Sequence, residues 1–128
     1  MDTRQYAERY KAAEVTVADP KRLLLLVFEG GTKFLRLTRE ALAAGDRVGF
    51  AENLRRAQAI VAELRGTLDH AAGGTIAADL ERLYEFMLFH LTEANVQQSV
   101  RHVDEVIGVF GTIAGAYRTV LGAETAAA

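Results

Sequence analysis

Cysteine is absent from the 128 residues. That excludes a disulfide framework, a thiolate metal site and a cysteine nucleophile. Serine occurs once, at Ser99, with no nucleophile-elbow pattern around it. The three histidines, His70, His90 and His102, form no i, i+4 pair and no Glu-x-x-His motif, so the di-iron bundle signature is missing. The short EGG and AAGG stretches do not fit a phosphate- or dinucleotide-binding loop. Charge of one sign is also lacking: 15 basic residues against 17 acidic leave a net charge of -2, which argues against a nucleic-acid partner. No apolar run approaches the ~20 residues of a membrane-spanning helix. The opening MDTRQYAERYK has no apolar core of a signal peptide. The expectation is a cytoplasmic chain that is no enzyme, uses no cofactor or metal and does not insert into a membrane.

What is present points to helices. Hydrophobic residues make up 50% and charged residues 25%, a globular balance at a length that suits one domain. The single proline, Pro20, and a few glycine clusters leave long uninterrupted segments between them. Asp19 as N-cap and Pro20 in the first turn open the first helix. Its polar residues Arg22, Glu29, Lys33, Arg36 and Glu40 form one stripe whose phase survives Gly30 and Gly31. The six apolar residues Leu23 to Phe28 therefore belong to this helix, neither to a membrane span nor to a strand. Gly45 ends it and Asp46 caps the next. The second helix has the seam Leu54, Ala57, Val61, Leu64 and Leu68, with Phe50 and Ile60 on its flank. Thr75 is the expected N-cap of the third, with the seam Ile76, Leu80, Leu83, Met87 and Leu91. Ser99 caps the fourth, with the seam Val100, Val103, Ile107, Phe110, Ala114, Tyr117 and Leu121. The expected fold is all-α: an antiparallel up-down-up-down four-helix bundle over residues 19–122, an N-terminal arm over 1–18 and a disordered tail over 123–128.

The helices carry more apolar surface than one core needs. The first has a stripe of Leu24, Phe28, Gly31, Leu35 and Leu42, and a second of Leu23, Val27, Gly30, Phe34, Leu37 and Ala41. The fourth adds Val106, Val109, Ile113 and Val120, beside a glycine stripe of Gly108, Gly111, Gly115 and Gly122. Two stripes can be the broad inner face of one bundle helix, or spare surface for a helical partner or a second copy.

Four stretches in order resemble the flagellar export chaperone FliS family, the flagellin-specific chaperones. They are the tyrosine-bearing arm with the Val17-Ala18-Asp19-Pro20 turn, the Leu-rich run ending Phe28-Glu29-Gly30-Gly31, the segment Asn53 to Asp69, and the segment Gly73 to Asn95 with its Leu-Tyr-x-x-Met. The resemblance spans roughly residues 6–118. Phe28 stands where that family's pattern has tyrosine, and Gly31 where it has alanine. The resemblance implies a chaperone that holds the disordered C-terminal segment of flagellin, blocks premature polymerisation, keeps it competent for type III export and docks at the flagellar export gate. It implies no ATP and no metal, and an arm that can cover cargo surface in the free protein.

The residues expected to meet a partner are Tyr6 and Tyr10 on the arm, the off-seam apolar residues Ile60, Tyr84, Leu88, Phe89, Val106, Val109 and Ile113, Gly111 of the glycine stripe, and Arg56 and Asn95 at polar positions of the family pattern. For each there is also a structural reading, as bundle flank, solvated surface or helix cap. A self-associating helical module is the rival function, and the expected oligomeric state is a monomer or weak dimer.

Overall fold

The computed structural model describes residues 2–9 and 19–127, with side chains through 122. Among the described residues there are five helices and no strand. Helix α1 covers 3–9, and Asp2 caps it by accepting a hydrogen bond from the Gln5 N–H at 2.8 Å. The long helices are α2 (Pro20–Ala44), α3 (Arg47–Gly66), α4 (His70–Gln97) and α5 (Val100–Ala127). The last continues well beyond residue 122, where the sequence pattern ended.

Local chemistry explains the boundaries. Asp19 accepts from the Lys21 N–H, Asp46 from Gly49, Asp69 from Ala72 and Ser99 from His102, at 2.9 to 3.3 Å. Each carboxylate or hydroxyl satisfies one of the donors that a helix start leaves without a partner. Gly45, at φ 74°, closes α2 in the left-handed conformation that a side chain disfavours. Helix α4 begins earlier than Thr75: Asp69 caps it, and one helical turn precedes a break at Gly74 (φ 51°, ψ -124°). Only glycine adopts that geometry without strain. Gly74→Ala is expected to lose about 1–3 kcal/mol in urea unfolding. The link between α4 and α5 is Gln98 and Ser99, and Gln98 rather than Asn95 ends α4. Gln98 takes the left-handed turn, and its side-chain amide donates to the Asn95 carbonyl at 2.7 Å.

Helix α2 packs on α3 and α5, and α4 packs on the same two, so the four long helices close a ring around one core. Phe28, Leu35, Leu54, Val61, Leu64, Tyr84, Met87, Leu91, Val106 and Phe110 are buried there. Each large side chain so buried contributes roughly 1.5–3 kcal/mol. Phe28 stacks on Tyr117 with ring centroids 4.8 Å apart and tilts against Phe110 at 5.6 Å. Its burial among apolar neighbours suits phenylalanine.

The two mid-helix glycines have different jobs. A Cβ on Gly31 would overlap the Phe110 ring, so this glycine is the socket into which α5 inserts an aromatic side chain. A Cβ on Gly30 would meet only the Ile60 Cδ1, at an ordinary 3.4 Å.

The inner faces differ from the seams expected of the sequence. On α4 the buried residues are Ala77, Tyr84, Met87, Leu91 and Ala94, while Ile76 and Leu83 are 72% and 39% exposed. The face is rotated because two alanines let the neighbouring helices approach and Tyr84 fills the space between them. On α5, Val106 and Ile113 are buried beside Phe110 and Ala114, so this part of the second stripe joins the first in one broad inner face, while Val109 is half-buried and Val120 is exposed. Phe50 is likewise core, at 3% exposure. Thr38 is fully buried because its hydroxyl donates to the Phe34 carbonyl at 2.6 Å, which leaves no orphaned polar group.

Candidate partner-binding groove

The second stripe of α2 reaches the core at Ala41, with Val27 and Phe34 packed against it, while its N-terminal part stays near the surface. Leu23 and Leu26 are 38% and 49% exposed, and Val27 is half-buried. Opposite them α3 presents Ala59, Ile60 and Glu63. Between the two helices runs an open groove of about 370 Å³, with Gly30 on its lining. Leu23, Val27 and Glu63 also line a second, larger hollow of about 770 Å³. It lies where the start of α2, the end of α3, the start of α4 and Tyr117 of α5 come together. Its lining is mostly apolar: Leu24, Leu64, Leu68, Ile76, Ala77 and Leu80. The two hollows form one continuous apolar channel, of a size and composition that suit the apolar face of a helical segment.

Tyr84, almost wholly buried, also lines the larger hollow. Burial, with the Tyr117 phenol beside it, pushes its hydroxyl well above the usual tyrosine range, so it stays protonated. Two charged residues line the channel among the described residues, Glu63 and Asp69, and both are acidic. Among the described residues no group of three His, Asp or Glu side chains is placed to hold a metal ion, and no helix is long and apolar enough to cross a membrane.

Of the residues expected to meet a partner, the channel gathers two. Ile60 and Tyr84 both line it. Tyr84, Val106 and Ile113 are not free flank surface: all three are core, at 1%, 0% and 7% exposure. Leu88 and Val109 are half-buried against the core. Arg56 is exposed, ion-paired with Glu52 at 3.2 Å, with its guanidinium 5.4 Å from the centre of the Phe34 ring. Tyr6 on α1 and Asn95 on α4 are exposed, and Tyr10 lies outside the described residues. Gly111 and its glycine neighbours on α5 border open space, with no atom near an added Cβ.

Phe89 belongs to a second apolar surface, on α4. It is 63% exposed and Phe86 is 41% exposed. The His90 ring packs tilted against Phe86, with centroids 4.0 Å apart, and its Nε2 lies 3.0 Å from the Glu105 carboxylate of α5. His102 packs 5.3 Å from the His90 ring.

The sequence pattern puts Leu68 on the core seam of the second helix, leaves Leu26 off both stripes of the first, and does not show the meeting point of the helix ends. The second α2 stripe was the available signal. Nothing in a linear pattern brings Leu68, Ile76 and Tyr117 to that stripe.

A family model described as "Flagellar protein FliS" matches residues 2–124. The chain belongs to the FliS family. The flagellar secretion chaperone FliS of Salmonella typhimurium is 33% identical over 116 residues, covering 90% of this chain and 86% of that one. The flagellar secretion chaperone FliSB of Pseudomonas aeruginosa is 35% identical over 103 residues, 80% and 82% of the two chains. FliS of Bacillus subtilis is 30% identical over 115 residues, 90% and 85%. FliS proteins are chaperones, not enzymes.

Gly30→Ala separates the demands of folding and binding. Alanine removes a helix penalty of up to about 1 kcal/mol, so the melting temperature should rise or hold. The added methyl narrows the channel, so binding of a helical peptide should weaken.

Proposed function

We propose that this FliS-family chain is a cytoplasmic chaperone for flagellin. It holds the disordered C-terminal segment of flagellin, prevents premature polymerisation and keeps the subunit competent for flagellar type III export, delivering it at the export gate. The observation that carries this reading is the continuous apolar channel between α2 and α3 and across the end of the helix ring. A disordered segment gains most by folding as a helix whose apolar side is buried in such a channel. Part of the gain offsets the entropy of ordering, so affinity per unit area is modest and release at the export gate is easy.

The reading takes residues 19–122 as an antiparallel up-down-up-down bundle, with residues 1–18 as an arm. Links as short as Gly45-Asp46 and Gln98-Ser99 suit antiparallel neighbours. The test is light scattering and circular dichroism with a synthetic peptide of the flagellin C-terminal segment. A 1:1 complex with gained helicity is the expected result. A tight dimer of the chain that ignores the peptide would sink the proposal in favour of a self-associating module.

A further inference from the structure

Resting on the flagellin reading above, we infer that the cargo segment carries a lysine or arginine beside its apolar face, and that Glu63 receives it. Glu63 is an exposed residue on the lining of both hollows, on the side of α3 where they adjoin. The other charged group on the lining, Asp69, is occupied as the N-cap of α4.

Ten of the thirteen carboxylates on the described residues 19–122 have partners. Glu40, Glu52, Asp79, Glu81, Asp104 and Glu105 are paired with Arg or His. Asp19, Asp46 and Asp69 cap helices, and Glu93 accepts from Gln97. Of the three that remain, Glu29, Glu63 and Glu85, Glu63 is the one on the channel. Leu64, Thr67 and Leu68 bring the end of α3 to the same hollow, and a helix C-terminus adds partial negative charge. No Lys or Arg lines the channel among the described residues. An apolar trough with one unpaired carboxylate on its lining matches an amphipathic helix that has one cation at the border of its apolar stripe. An acidic residue there would be repelled. The charge thus sets register along a surface whose apolar part tolerates sliding.

The test measures peptide affinity at several salt concentrations for wild type, Glu63→Gln, Glu63→Lys and Leu23→Glu, with the intact chain and the flagellin C-terminal peptide. A peptide set with each Lys and Arg changed singly to Gln completes the design. Glu63→Gln should weaken binding about fivefold and flatten its salt dependence, and Glu63→Lys should weaken it about twentyfold or more. One peptide substitution should show the same loss and no further loss when combined with Glu63→Gln. Binding of both Glu63 variants within twofold of wild type, while Leu23→Glu abolishes it, would overturn this inference and leave the flagellin reading standing. A wild-type chain that does not bind the peptide would overturn both. Unchanged melting of the Glu63 variants is the check that the fold is intact.

Discussion

Leu23→Glu is expected to weaken binding of a flagellin C-terminal peptide by about 100-fold or more. Leu23 lines both hollows and is 38% exposed. A carboxylate there stays hydrated in the free chain but must lose water when an apolar helix face covers it. Burying a charge without a partner costs several kcal/mol, and about 2.7 kcal/mol already gives the 100-fold loss. The substitution would also stand near Glu63 and add repulsion. Stability should fall by only about 1 kcal/mol, because the side chain is at the edge of the core. The measurement is titration calorimetry beside thermal unfolding. Equal binding by the variant and wild type would place the cargo elsewhere, with the exposed Phe86 and Phe89 of α4 the next surface to test.

Phe110→Ala should have the largest effect on the fold, a loss of about 3–5 kcal/mol. Its ring is 1% exposed, leans on Phe28 and occupies the socket left by Gly31. Removing it opens a cavity on α2 as well as on α5. Gly31→Ala alone meets the ring head-on. The overpacking, typically ~1–3 kcal/mol, outweighs a helix-propensity gain of about 1 kcal/mol. The two substitutions should not add. With the ring gone, the alanine methyl meets no obstacle and the propensity gain is recovered, so Gly31→Ala should stabilise the Phe110→Ala background. Urea unfolding of the four chains closes the cycle. Additive losses would show that Gly31 and Phe110 do not share one space.

How far the sequence led follows from which interactions are local. The caps at Asp19, Asp46 and Ser99 and the stop at Gly45 were legible because donor and acceptor lie within a few residues. The continuity of α2 through Gly30 and Gly31 was legible from the phase of its polar stripe. The rotation of α4 was not, because alanine is a weak marker of an inner face and Ile76 and Leu83 are strong but misleading ones. The sequence leaves Val106 and Ile113 open between partner surface and bundle flank, because two adjacent apolar stripes do not say whether they face one neighbour or two. Gly31 illustrates the limit well. Its place in an apolar stripe said that something presses close, and the structure supplies the Phe110 ring from the far end of the chain.

The socket also bears on the order of events in folding. The α2–α3 and α4–α5 pairs are joined by two-residue links, so they can zip as hairpins with little loop entropy to overcome. The contact between Gly31 and Phe110 joins the first long helix to the last, and loop entropy favours its closing after the local hairpins. A contact made late on the way in is among the first released on the way out. The seam between α2 and α5 is therefore the natural latch of the molecule: its fit sets how long the folded ring lasts more than how fast it forms.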